Sequence, residues 1–235
     1  MKVIFNIDDF GYSFGEIEGA VYAYQNGIVS STTALMTVRD ELIEEAKRQS
    51  DLNPGFGIGC HLCLTYGRPL TECKCCVDEE GKFVKEAKFD HEHMDEETIY
   101  QEYKAQVEKF IKVYGRKPTH IDHHHNIQLY NPILYKAYRR IAEEYQLPYR
   151  DIPKNNAPIA YYGTEYYDLN MDVCKKYIDK NSDATIELAC HAALVDKELF
   201  ENTSWDAMRI SELRFTTSQA AKDFVKENNV EIVTF

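Results

Sequence analysis

Two groups of side chains in this 235-residue chain are suited to metal chemistry: the adjacent carboxylates Asp8-Asp9 and the run His120-Ile121-Asp122-His123-His124-His125. Imidazole ligates divalent transition metals well, and a carboxylate among imidazoles makes a site of intermediate hardness. The run follows Gly115-Arg-Lys-Pro118-Thr119, a loop-like stretch, so it reads as the end of a short strand. Alternate side chains of a strand share a face. His120, Asp122 and His124 then point one way, and Ile121, His123 and His125 the other, so an ion takes only part of the run. A solvated polar turn rich in histidine is the alternative reading.

Two more histidines extend the pattern. His61 and His191 each follow an apolar segment that reads as a strand. One Asp of the pair with His61 and His124 makes three protein ligands and leaves positions for water and substrate, the pattern of a catalytic ion. Such an ion lowers the pKa of bound water toward ~7 and polarises a carbonyl. The second carboxylate takes the water proton, and another acid protonates the leaving group. His191 suits that acid; a core histidine under a loop is the alternative. Asp8-Asp9 could instead cap a helix.

These residues need elements to hold them. Lys2 to Ile7 reads as a buried strand delivering Asp8-Asp9, and Gly15 to Gly27 as a helix with apolar residues at helical spacing. Ile28 to Val38 contains a strand, Asp40 to Ser50 is an amphipathic helix, and Phe56 to Thr65 carries His61 on a strand. Tyr66 to His93 has no period and reads as a long loop. Then come a helix (Asp95 to Tyr114), a strand (Thr119 to His123), a helix from about Asn131 to Tyr145, and a short strand at Leu147 to Arg150. Asn155 to Leu169 is Tyr-rich and irregular. Met171 to Lys180 is helical, Ala184 to Cys190 is a strand delivering His191, Trp205 to Asn228 is helical in two pieces, and Val230 to Phe235 closes as a strand. This alternation predicts an α/β fold with about seven mostly parallel strands, as a barrel or an open doubly wound sheet. Asp8, Asp9, His61, His124 and His191 all fall at carboxyl ends of strands, where such folds gather their ligand sites.

Composition narrows the function classes. The chain has the length of one domain. A net charge of −12 argues against nucleic-acid binding, which wants a basic stripe. Val3-Ile4-Phe5 is interrupted by Asn6, Asp8 and Asp9, so no secretory signal or membrane span is expected, and the cytoplasm is the expected location. Seven cysteines in a reducing compartment are expected as thiols. Cys73-Lys-Cys75-Cys76, with Cys60 and Cys63 upstream, raises structural zinc. The irregular spacing and the adjacent Cys75-Cys76 disfavour a closed tetrahedral site, and loop thiols are the expectation.

The motifs also resemble a family. Asn6-Ile-Asp8-Asp9-Phe10-Gly11 is similar to the Asn-Ala-Asp-Asp-Phe-Gly opening of the YdjC-like carbohydrate deacetylases, and Gly27 to Leu35 resembles their next segment. Gly59-Cys-His61-Leu-Cys-Leu-Thr65 with Gly67-Arg-Pro69-Leu70, then Gly115 to His124, then Glu187-Leu-Ala-Cys-His191 and Ser211-Glu-Leu213, follow that family's later blocks in order. The resemblance covers nearly all of residues 1–235 and implies a single deacetylase domain on a distorted (β/α) barrel. It implies one divalent metal, usually Mg²⁺, and removal of acetyl from short N-acetylated sugars, chitooligosaccharides such as diacetylchitobiose. Asp9, His61 and His124 match the metal positions, Asp8 or Asp9 the base, and His191 the later histidine. Asn126 and Gln128 stand where the family often has further histidines, and Ala192 where it usually has Pro. Both departures bear on substrate range. On softness, two imidazoles suit Zn²⁺, Mn²⁺ or Co²⁺ at least as well as Mg²⁺.

For the sugar, Arg150 is expected to hold hydroxyls or an oxyanion, and Tyr161 and Tyr162, with Tyr166 and Tyr167, to offer aromatic faces. Packing of an exposed loop is the alternative. A homodimer is the assembly considered. Two other functions fit the Asp/His set: a metal-dependent phosphoesterase or amidohydrolase, which would want a second metal cluster, and a non-catalytic metal-dependent sugar-binding protein, which would need no base and acid.

Overall fold

The computed structural model describes residues 1–155, 157–179 and 181–235. Its strands are β1 (Lys2–Phe10), β2 (Ser31–Leu35), β3 (Gly57–Leu62), β4 (Ile121–His123), β5 (Ala160–Tyr161), β6 (Thr185–Cys190) and β7 (Glu231–Ile232). They form one sheet in the order β4-β3-β2-β1-β6-β5, with β7 beside the start of β1, and every strand pair is parallel. The segment expected as strand Leu147 to Arg150 makes single bridges instead. Tyr149 pairs with Ile121 of β4 and Asp151 with Ala160 of β5. Those two bridges join the sheet edges, giving the expected distorted barrel.

Eight α-helices lie among the described residues: α1 (Phe14–Asn26), α2 (Asp40–Leu52), α3 (Glu96–Tyr114), α4 (Pro132–Tyr145), α5 (Met171–Tyr177), α6 (Lys197–Asn202), α7 (Asp206–Thr216) and α8 (Gln219–Glu227). Their boundaries follow local chemistry. Ser13, Asp95, Asn131 and Ser218 accept backbone N–H groups at the starts of α1, α3, α4 and α8. Pro132 sits in the first turn of α4, where its missing N–H costs nothing. Gly115, at φ 68°, ends α3 in the left-handed conformation. None of these helices is long and apolar enough to cross a membrane.

Three expectations need correction. β1 does not stop at Ile7 but continues through Asp8-Asp9-Phe10 with a register shift between Ile7 and Phe10. α6 was not anticipated; six residues capped by Asp196 give too short a pattern to read. The helix expected over Met171 to Lys180 ends at Tyr177, and Lys180, like Asn156 of the Tyr-rich stretch, lies outside the described residues.

Burial on β1 explains why the barrel can house polar chemistry. Val3, Phe5 and Ile7 join the apolar core against the helices. Asn6 and Asp8, on the opposite face, are equally buried but polar, and Asn6 donates to Asp8 at 2.9 Å. The interior therefore holds a hydrogen-bonded polar network, although Asn6 Oδ1, His120 Nε2 and Glu187 Oε2 have no partner in it. At the amino-terminal end of the strands Phe235 closes the interior. Its ring stacks on His120, centroids 3.7 Å apart.

Candidate active site

The carboxyl end of β1 delivers two carboxylates to different partners. Asp9 has φ 74°, a conformation that L residues rarely adopt. Regular alternation would send Asp9 to the face opposite Asp8; the positive φ and the bulge re-aim it so that both line one cavity. Asp9 Oδ1 lies 2.7 Å from His124 Nδ1 and 3.2 Å from His61 Nε2, and those two nitrogens are 3.3 Å apart. Ligand bonds of about 2.1 Å meeting near right angles place donor atoms about 3 Å apart. The three donors thus already form one face of a cation's coordination shell. His61 Nδ1 is 2.7 Å from Asp122 Oδ1. A carboxylate only accepts, so the proton sits on Nδ1 and the Nε2 lone pair faces Asp9, the usual second-layer support of a metal-bound histidine. The donor set fits a divalent ion.

The electrostatics agree. Burial would raise the Asp9 carboxyl, but the His124 ring and the Arg209 guanidinium, 2.6 Å from Oδ2, outweigh it and hold it well below the usual range. Burial would lower His61, yet the Asp122 and Asp9 carboxylates raise it well above a usual histidine. So many buried carboxylates demand a cation, and a metal ion answers the same demand as a proton on His61.

Asp8 faces the interior. Arg150, completely buried, grips it with two bonds of 2.6 and 2.7 Å. The same guanidinium donates to Glu187 Oε1 at 2.5 and 2.9 Å and lies 3.1 Å from Asp122 Oδ2. Burial pushes Asp8 up, and Arg150 more than offsets this, leaving it below the usual carboxylate range. Glu187 is lifted by burial to about 7 despite Arg150. The Arg150 head is thus spent on carboxylates and does not line the cavity, contrary to the sugar-contacting role expected from sequence. Its plane also lies 4.3 Å from the Tyr161 ring centre.

Above these residues opens a cavity of about 590 Å³, within the size range of small-ligand clefts. Asp8, Asp9, His124 and His191 line it together with Tyr12, Tyr66, Tyr161, Tyr166, Tyr167 and Trp205. Tyr161 is among the lining residues; Tyr162, whose ring stacks on Tyr177, is not. His191 packs edge-on against Trp205, and its backbone N–H donates to Glu212 at 2.7 Å. Burial draws its imidazole down to about 4, so it is neutral at pH 7.

Within the histidine run, alternation holds as far as the strand does. His123 turns toward α3, where Tyr103 bonds its ring at 2.7 Å, while Asp122 and His124 share the site side. His125 departs from expectation. β4 ends at His123, and His125 and Asn126 take φ 62° and 52°, so His125 lines the cavity beside His124. Asp122, Glu187, Arg209, Glu212 and Trp205 were not assigned roles from sequence. Asp122 carried a signal, since it shares a strand face with His124. Arg209 carried none, lying 200 residues from the carboxylate it binds.

Fold and site together define an α/β barrel with a buried Asp-His-His cluster able to hold a cation and a neighbouring carboxylate at the carboxyl ends of its strands. A family model described as YdjC-like protein matches residues 2–227, and the chain belongs to that family. It is 35% identical to a chitooligosaccharide deacetylase of Yersinia enterocolitica, over 96% of this chain and 94% of that protein. It is 32% identical to a carbohydrate deacetylase of Clostridium beijerinckii, over 100% and 99% of the two chains. Among solved structures it superimposes on an Enterococcus faecalis protein provisionally assigned to cellobiose-phosphate cleavage, with a TM-score of 0.84, 30% identity, and coverage of 99% and 97%.

Proposed function

We propose that this protein is a single-domain, metal-dependent hydrolase that removes acetyl from the amide nitrogen of short N-acetylated sugars, chitooligosaccharides foremost. The observation that carries this reading is one cavity, walled by aromatic side chains, at which two of three preset metal donors, Asp9 and His124, meet a separately anchored carboxylate and a histidine, with the third donor, His61, buried directly behind. The names of the two deacetylase relatives support the substrate class.

In this reading Asp9, His61 and His124 hold one divalent ion. Asp9 serves as a ligand to the ion and is held by Arg209, so the base is assigned to the neighbouring carboxylate, Asp8, whose two oxygens Arg150 grips. When bound, the ion supplies Lewis-acid polarisation of the acetyl carbonyl and acidifies the attacking water. Asp8, ionised at any working pH, is a weak base, and a weak base suffices for an acidified water. Arg150 fixes its orientation. His191, neutral at rest, receives the proton that Asp8 has taken from water and passes it to the departing nitrogen, which returns Asp8 to its ionised form. The balance is one water O–H and the C–N bond broken, and one C–O bond and one N–H formed. Tyr166, Tyr167 and Trp205 offer faces for sugar rings, while Tyr161, buried against Arg150, forms part of the cavity wall. Two imidazoles and a carboxylate suit Zn²⁺, Mn²⁺ or Co²⁺ as well as Mg²⁺. All seven cysteines stand as thiols, which suits the cytoplasm as the site of action.

The test is acetate quantitation with metal-loaded protein on diacetylchitobiose, beside an acetyl ester and an acetylated peptide. Acetate from the sugar with little from the controls is expected. No acetate from the sugar, with turnover of a phosphodiester instead, would transfer the site to phosphoester hydrolysis.

A further inference from the structure

Three of the seven cysteines meet in the long loop between β3 and α3. Cys73, Cys75 and Cys76 flank a 3₁₀ turn at Lys74–Cys76, and their Sγ atoms all lie within 4.8 Å of one another. All three are buried. None lines the cavity of the candidate active site. The backbone brings them together. Cys76 N–H donates to Cys73 O at 3.3 Å, closing a Cys-x-x-Cys turn, and the N–H groups of Val84 and Asp90 donate to the carbonyls of Cys76 and Cys75. Strand pairing cannot explain three thiols facing one point, and apolar packing does not require it.

Distance separates the uses open to such a cluster. A disulfide needs sulfurs about 2.05 Å apart. Thiolates at about 2.3 Å around a tetrahedral ion lie about 3.8 Å from one another. Cys75 Sγ and Cys76 Sγ are 3.7 Å apart. We propose that Cys73, Cys75 and Cys76 form a second, structural metal site for a thiophilic ion such as Zn²⁺, with water at the fourth position. Cys75, which keeps 6% of its surface exposed, marks the side from which water enters. Each sulfur binds as the thiolate, so binding releases the protons still carried by the cluster. Sequence spacing argued against this site because Cys75 and Cys76 are adjacent. The 3₁₀ turn overcomes that by folding Cys73 back onto the pair.

The site has a purpose in the fold. The turn lies beside the bridge between Val77 and Phe83, and Phe83 N–H donates to Gly67 O. Phe83 and Lys85 then form part of the cavity wall. An ion at the three sulfurs pins that wall from behind, in a stretch where the only regular structure among described residues is 3₁₀.

The experiment starts from the full-length His61→Ala/His124→Ala protein, which lacks the other donor set. Reduced protein loaded with Co²⁺ should bind one ion per chain and show thiolate-to-cobalt charge-transfer absorption. Adding Cys73→Ser/Cys76→Ser should abolish both, while Cys174→Ser, a buried thiol elsewhere, should leave them unchanged. If the serine variant fails to fold, native mass spectrometry of the parent decides. A chain carrying one zinc, with three thiols shielded from alkylation until chelator is added, supports the proposal. A metal-free chain whose thiols react without chelator overturns it. So does a chain two hydrogens lighter, which marks a disulfide.

Discussion

Replacing Arg150 by Met keeps much of the side-chain volume and removes the charge from the barrel interior. In the native protein one buried guanidinium serves Asp8 through two bonds, Glu187 through two more, and lies 3.1 Å from Asp122. Removing one partner of a buried ion pair costs about 3–5 kcal/mol, because the remaining charge is left unpaired. In a chain of this length that corresponds to a fall in Tm of about 6–20 °C. The pH dependence is the sharper test. In the native protein Asp8 lies below its unfolded value, so its contribution is full above about pH 3.9 and is lost as pH falls through the folded value. Without Arg150, burial dominates, places Asp8 above its unfolded value near 3.9 and lifts Glu187, already raised in the native protein, further. Each then opposes folding more as pH rises. The Tm deficit of the variant should already be marked near pH 4, where the native Asp8 contribution is nearly complete, and grow further toward pH 8. Arg150→Lys should recover part of the stability but not the rate, since an ammonium cannot reproduce the fork on Asp8. Thermal unfolding of metal-free native and variant proteins across that range is the assay. A deficit that is constant with pH, or a Tm within about 2 °C of native at pH 7, would refute the network as described.

Three further outcomes follow from the same geometry. His61→Ala should lose one bound ion and the activity while circular dichroism still shows the native fold, with a lowered Tm because the buried Asp9 and Asp122 lose a partner. Retention of that ion would remove Asp9-His61-His124 as the site. Asp122→Asn should weaken metal affinity by about 10–100-fold, because the amide no longer holds His61 in the tautomer that presents Nε2; calorimetric titration measures it, and an unchanged affinity would count against that role. Carboxylates raise His61 well above a usual histidine, so a proton competes with the ion: affinity should fall as pH drops from 8 toward 6, with proton release on binding, and a flat dependence over that range would exclude imidazole ligation.

The residues able to do chemistry were readable along the chain because strands obey simple periodicity. An apolar run ending in Asp8-Asp9, another ending near His61 and a third ending at the histidine run each place polar groups at a strand's carboxyl end. In a parallel sheet, all such ends share one edge. Alternation also put Asp122 and His124 on a common side, as the bond from Asp122 to His61 shows. Family motifs in order along the chain carried the reading further, to a barrel. What local pattern could not decide was pairing across distance and backbone deviation from ideal strands. Arg150 has the sequence surroundings of a loop residue able to reach a ligand, yet the barrel closes around it and commits it to Asp8 and Glu187. Arg209 reaches Asp9 from a helix 200 residues away. The positive φ of Asp9 and His125 re-aims two site residues that a regular strand would have pointed elsewhere. Side-chain type and spacing are local quantities, and they determined which groups stand at the mouth of the barrel. Which charge neutralises which depends on three-dimensional proximity in a low-dielectric interior, and only the folded chain creates that interior.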